Sequence, residues 1–194
     1  MRADATSDQA SQFLELLRPI EGELEAYCRR LIWDPQEARD ALHNALARAI
    51  GAFDRYHQGT NFRAWLYKIL THEAFALNRK HQRRAQREFQ MEPEEMEMLA
   101  GPGTEEVGTA EASGTLEALQ EQLDQGLVLA LKTLTDEERA TLLLRAIGGF
   151  KYLEIAENLG LPLGSVVGYL GRARQKMRLA LGRQQFQPST KRSL

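Results

Sequence analysis

One cysteine, Cys28, stands in 194 residues, so no disulfide can close within the chain. That excludes a disulfide-stapled secreted scaffold and fits a reducing cytoplasm. Cys28 lies among helix-spaced apolar residues and is expected to be a buried, inert thiol. No apolar run approaches the roughly 20 residues that span a bilayer. The polar start MRADATSDQASQ has no apolar h-region, so neither membrane insertion nor a secretory signal is expected. Sites of chemistry are also missing. His72-Glu73 opens an H-E-x-x-H string, but its fifth residue is Ala76. There is no C-x-x-C, no phosphate-binding glycine loop and no G-x-S-x-G. His43, His57, His72 and His81 do not have the spacing of metal ligands. The expectation is no catalytic residue, no metal and no cofactor.

The chain does carry an uneven charge. Its net charge of −2 would argue against nucleic acid. However, residues 1–90 hold 14 Lys/Arg and 12 Asp/Glu. Residues 91–125 hold ten Asp/Glu and no Lys/Arg, and residues 126–194 hold 11 Lys/Arg and five Asp/Glu. Two neutral-to-basic bodies flank an acidic tether. A hydrophobic fraction of 43% with 27% charged residues is that of a globular protein.

The last third organises the rest. Thr135 precedes an apolar run, and Glu138 follows three residues later, the spacing of a capping box. Leu142, Leu143 and Ile147 face inward on the first helix, which Gly148-Gly149 ends. Tyr152, Ile155, Ala156 and Leu159 mark a short second helix. Gly160-Leu161-Pro162 makes a tight turn, and a third helix runs from about Pro162. On it Val166, Leu170, Ala173 and Met177 line one side. Ser165, Tyr169, Arg172 and Lys176 form a polar, basic and aromatic side. Such a helix-turn-helix suits the major groove; a solvated helix in an ordinary bundle would show the same pattern.

This stretch resembles region 4 of the extracytoplasmic-function sigma factors, the small sigma-70-type subunits of bacterial RNA polymerase. The matching residues are Leu142 to Arg145, Glu154-Ile155-Ala156, Leu159-Gly160, Pro162, Gly164-Ser165-Val166, and Leu170 with Arg172-Ala173-Arg174. The chain departs from the family at Gly168-Tyr169, where a small polar residue and arginine are usual. The resemblance implies that Ser165, Val167, Tyr169, Arg172, Arg174 and Lys176 contact a −35 promoter element.

Earlier in the chain, residues 1–10 are expected to fray. Phe13, Leu16, Leu17, Ile20, Leu24, Tyr27, Cys28 and Leu31 recur at helical spacing, with Pro19 as a disturbance. Asp34-Pro35 reads as a cap and first-turn proline for a helix to Phe53. Its inner residues are Ala38, Leu42, Ala45, Ala49 and Phe53, with Asp40, His43 and Asn44 on another side. After a polar turn, the string GTNFRAWLYKILT begins a helix running to about Phe89. Phe62, Trp65 and Ile69 share a face and are expected in the core; Tyr67 is left open between core and base stacking. Lys80, Arg83, Arg84 and Arg87 form a ridge that can follow phosphates, as can any solvated charge run.

These blocks resemble sigma region 2. The resemblance implies that Asp40, His43 and Asn44 meet the coiled coil of the polymerase's largest subunit, although the family often has glutamine and glutamate at the last two positions. It also implies that Tyr56, His57 and Asn61 surround a flipped −10 base, with Arg63, His72, Arg79, Lys80, Arg83 and Arg84 on the same DNA.

The expected fold is all-α, with two small helical domains joined by a flexible acidic linker. The boundaries are 1–90 for the region 2-like domain, 91–125 for the linker, 126–184 for the region 4-like domain and 185–194 for a disordered tail. Helix is also expected near Glu94–Leu99 and from Thr115 to Leu131. The implied partners are core RNA polymerase, through its coiled coil and flap, promoter DNA, and an anti-sigma factor. The expected location is the cytoplasm. Two other readings stay open: a freestanding helix-turn-helix regulator, and a sigma-like interaction module without promoter activity.

Overall fold

The computed structural model describes residues 2–34, 36–57, 59–90 and 116–185, with side chains at 9–34, 36–57, 59–87 and 124–182. Every regular element among them is helical. In order they are α1 (Arg2–Leu17), α2 (Glu21–Leu31), α3 (Ala38–Gly51), α4 (Phe62–Gln90), α5 (Leu116–Lys132), α6 (Asp136–Ala146), α7 (Tyr152–Leu159) and α8 (Leu163–Gln185). Short 3-10 turns at Arg18–Ile20 and Phe53–Arg55 join α1 to α2 and follow α3. The expected helices near Glu94–Leu99 and the linker centre lie outside the described residues.

The first unit packs α3 and α4 together, with α2 against both. The 3-10 turn at Pro19 explains why one apolar stripe became two helices: proline lacks the N–H that a continuous helix needs there. Phe13, Leu17, Leu24, Tyr27, Leu31, Ala38, Ala45 and Ala49 are buried as their spacing required, whereas Leu16 is exposed, Leu42 is half-buried and Ala41 takes an inner place on α3. Alanines on α3 let α4 approach closely. The Tyr27 hydroxyl pairs with Thr71 Oγ1 at 2.8 Å, tying α2 to α4. Cys28 is buried, its thiol donating to Ala38 O at 3.1 Å, and burial pushes the thiol up to about 12. The inert-thiol expectation agrees with this environment, since the thiolate is the reactive form.

Some element ends differ from the sequence reading. The α1 helix begins at Arg2 rather than fraying through residue 10. The α3 helix starts at Ala38, not Pro35, and Asp34 does not cap it: its carboxylate accepts the Gln36 N–H in a tight turn, and Glu37 occupies the cap position. The α8 helix extends to Gln185, the first residue of the segment expected as a disordered tail. The α5 helix, Leu116–Lys132, agrees with the helix expected from Thr115 to Leu131, and it takes in residues 116–125 of the expected connector.

In the second unit, α5, α6 and α7 pack around α8. The capping box is present: Thr135 Oγ1 accepts the Glu138 N–H at 3.3 Å, and Glu138 Oε2 accepts the Thr135 N–H at 3.1 Å. Val166, Leu170, Ala173 and Met177 are all buried. Gly160 closes α7 with φ +65, a left-handed conformation that glycine adopts without strain. Tyr152, by contrast, lies outward on the first turn of α7, with Arg145 over its ring.

The two units also pack on one another. The α2 helix meets α6, and α4 meets both α6 and α7. The buried apolar residues of both units form one continuous cluster.

Candidate nucleic-acid interface

The loop before α4 is held by its own polar groups. Asn61 Oδ1 accepts the Ala64 N–H at 3.1 Å, so Asn61 caps α4. The Tyr56 hydroxyl donates to Thr60 O at 2.6 Å, and the Tyr56 ring stacks on Phe53 with centroids 5.6 Å apart. Phe62 and Trp65 complete this aromatic cluster, Trp65 lying 5.3 Å from Tyr56. Phe62 is buried and Trp65 half-buried, as expected for core residues. His57 and Asn61 are exposed near Tyr56, so the three expected base-contacting residues lie on the one loop before α4.

Along α4, His72, Arg79, Lys80, Arg83, Arg84 and Arg87 are exposed. The ridge is therefore open to a phosphate backbone and is no part of the core. Two expected residues lie elsewhere. Tyr67 is fully buried, packed 4.9 Å from the Tyr27 ring and 5.1 Å from Phe150, which closes the base-stacking alternative. Arg63 is half-buried between the two units. It ion-pairs with Glu23 and lies over the Tyr67 and Phe150 rings at 5.8 and 5.7 Å. Sequence spacing missed this because Arg63 and Tyr67, one turn apart on α4, face the second unit rather than solvent.

Asp40, His43 and Asn44 are exposed on α3. Asp40 and Asn44 line a groove with Glu37, Glu73 and Lys80 of α4. Glu73 also pairs with Arg48, and Glu37 is in contact with His81 Nε2.

On α8 the two expected faces separate differently. Val167, at 51% exposure, and Arg174 project into solvent. Arg172 and Lys176 are half committed to the fold: Arg172 Nε and Lys176 Nζ reach Glu138 at 3.2 and 2.7 Å. Arg172 also covers the Tyr169 ring at 4.8 Å. Burial pushes the Glu138 carboxyl upward, but the hydrogen bond from Lys176, the Thr135 backbone N–H and Arg172 outweigh it and hold it below the ordinary range. Ser165 is half-buried at the start of the helix. The capping-box spacing had marked Glu138, but only as a local cap; its tie to α8 spans 38 positions.

Between the units sit residues that the sequence reading did not single out. Asp136, Asn78 and Trp33 share hydrogen bonds, and Arg139 lies 5.6 Å over the Trp33 ring. Burial lowers the Arg139 guanidinium from its usual value, while Asp136 opposes that shift. Arg63 Nε, Arg139 Nη2 and Asn158 Oδ1 are buried without hydrogen-bond partners. The Tyr67 hydroxyl lies near the Arg63 guanidinium yet outside hydrogen-bond geometry. Each unpaired buried polar group costs about 1–3 kcal/mol.

The family described as Sigma-70 region 2 matches residues 16–84, and Sigma-70, region 4 matches residues 124–177. The chain is 29% identical over 179 residues to the ECF RNA polymerase sigma factor SigE of Mycolicibacterium smegmatis, covering 90% of this chain and 64% of that protein. It is 25% identical over 189 residues to the ECF RNA polymerase sigma factor SigG of Mycobacterium tuberculosis, covering 90% of this chain and 50% of that one. The chain thus spans about half to two thirds of the length of these curated relatives. The fold is similar to that of the sigma factor RpoE in its complex with the anti-sigma factor NepR from Bartonella quintana. The TM-score is 0.63 at 23% identity, covering 90% of this chain and 97% of that one. With both sigma regions matched in order onto the two helical units, the chain belongs to the sigma-70 family, among the extracytoplasmic-function sigma factors.

Proposed function

We propose that this protein binds core RNA polymerase and directs it to a narrow set of promoters, reading two DNA elements and helping to open the duplex. The observation that carries this reading is the exposed basic ridge of α4, the helix that the Tyr56–Asn61 loop leads into, paired in one chain with a helix-turn-helix. Unstacking a base costs a few kcal/mol, and contacts to its exposed face and edge recover it.

The residue roles come from the resemblance to the family, and the surface positions of most of these residues support them. Tyr56, His57 and Asn61 surround an extruded −10 base, and His72, Arg79, Lys80, Arg83 and Arg84 follow the same strand. Ser165, Val167, Tyr169 and Arg174 read the −35 groove, with Arg172 and Lys176 shared between DNA and Glu138. Asp40, His43 and Asn44 engage the largest-subunit coiled coil, and the second unit engages the flap. The protein catalyses nothing itself; the chemistry belongs to the polymerase, in the cytoplasm. Among the described residues no helix is long and apolar enough to cross a membrane. An anti-sigma factor is proposed as a further partner, since the RpoE of similar fold was captured with one.

The test is run-off transcription from genomic fragments with purified core polymerase. Discrete transcripts that need both components are expected. Duplex binding without polymerase, and no transcript with it, would instead establish a freestanding regulator. Binding to neither would leave an interaction module.

A further inference from the structure

The outward side of α8 has two flanks of different chemistry. On the first, Arg172 Nε and Lys176 Nζ meet the Glu138 carboxylate at 3.2 and 2.7 Å, and the Arg172 guanidinium covers the Tyr169 ring at 4.8 Å. The fold already engages these cations. On the second, Leu163, Val167, Gly171, Arg174 and Arg178 follow at i, i+4, i+8, i+11 and i+15, a repeat that puts them on one side of a helix. Leu163 is 47% exposed and Val167 51%. Gly171, Arg174 and Arg178 are exposed as well.

We propose that this second flank is the reading edge of α8: Leu163 and Val167 sit against thymine C5-methyl groups, and Arg174 and Arg178 hold phosphates farther along. The upstream element is then specified by A·T pairs rather than by guanine contacts. This assignment rests on the promoter reading for the partner of α8 and names the bases that the helix selects.

The base preference follows from what the helix tip offers. Residues at the start of a recognition helix reach base edges. Guanine is read there by Arg or Lys, bidentate to O6 and N7, whereas thymine presents a methyl group to apolar side chains. Residues 163–171 contain no Lys or Arg. They present two aliphatic side chains to water instead. One turn separates Leu163 from Val167, about 6 Å along the axis. That is roughly two steps of about 3.4 Å in the duplex, so both methyl groups fall within a short A·T run. Beyond them a Cβ at Gly171 would meet nothing within 4 Å. The fold itself does not require glycine at that position, and the bare backbone lets a flat partner approach closely. Arg174 and Arg178, one turn apart, lie where the helix leaves the base edges and meets the phosphates.

The test uses the full chain with core polymerase and a promoter fragment recovered by run-off transcription. If no fragment is transcribed, a duplex selected from a random pool by the full chain takes its place. Thymines of the upstream element alone are replaced by deoxyuridine, which lacks only the methyl group. Binding is expected to weaken about fourfold per contacted thymine, the equivalent of one buried methyl-sized group. Val167→Ala and Leu163→Ala, at exposed positions, should each lose one such thymine preference. Val167→Arg should exchange it for a preference for guanine. Arg174→Gln should weaken thymine and deoxyuridine duplexes alike and lower the salt slope by about one. Equal binding of the two duplexes by the parent chain would overturn the assignment while leaving the promoter reading intact. An unchanged thymine preference in both alanine variants would do the same. Thymine preference in a pool-selected duplex, with no transcript from any fragment, would uphold the assignment and defeat the promoter reading. No duplex bound with or without polymerase would overturn both.

Discussion

The carboxylate of Glu138 and the ammonium of Lys176 meet at 2.7 Å, with the Glu138 side chain 3% exposed. A residue that caps its own helix is thereby also an anchor for α8. Removing its charge strands Lys176 and Arg172 and weakens the α6–α8 contact. Glu138→Gln is expected to lower stability by about 1.5–3 kcal/mol, the range for hydrogen bonds to charged groups, read from urea unfolding. Lys176→Met should cost less, because Lys176 is partly solvated and its charge is screened.

Acid should act on the same residue. The Glu138 carboxyl is held below its ordinary 4.5, so its contribution is fully present above the unfolded value. It is lost as pH falls through the lower folded value. Urea midpoints measured from pH 6 to pH 3 should fall at the acid end, and Glu138→Gln should show a smaller fall. An identical acid dependence in both proteins would assign the effect to other carboxylates.

Position 148, just past the end of α6, requires glycine for a steric reason. A Cβ there would stand 2.6 Å from Leu144 O and 2.6 Å from the Phe150 ring. Because Leu144 O is backbone and Phe150 is buried, neither yields cheaply. Gly148→Ala is expected to destabilise by about 1–3 kcal/mol, read as a lower thermal midpoint.

The α4 ridge is expected to act through phosphates. Replacing Arg83 or Lys80 by Gln should weaken binding of the polymerase complex to promoter DNA across sequences. The slope of log affinity against log salt should shrink by about one per contact. An unchanged slope in both variants would remove the ridge from the DNA path.

Asp40 is exposed and makes no burial contribution. Asp40→Ala is expected to change stability by less than about 0.5 kcal/mol while weakening core-polymerase binding severalfold in a pull-down titration. Unchanged polymerase binding would move the contact away from this helix face.

Much of the fold was legible because it is local. The 3.6-residue stripe of Val166, Leu170, Ala173 and Met177 forces one face of α8 inward, and all four are buried. The Thr135–Glu138 spacing dictates a cap within one helical turn. Gly160 permits a backbone angle that other residues resist. The exposed surfaces were legible for a related reason: charged residues at helical spacing opposite an apolar stripe have nowhere to go but solvent, as Lys80 and Arg83 show. The start of α3 was misplaced because Asp34, a good cap in isolation, closes a separate turn first.

The chain's own order of residues thus determined its helices, their inward faces and the two sigma regions. Only the tertiary structure decided that Arg63 and Tyr67 face a second unit, and that Trp33, Asn78 and Asp136 share one bonding centre. The bonds involved join positions 45, 58 and 103 residues apart. No periodicity records such a pairing, because a helix repeat sets where a side chain points and not what arrives opposite it.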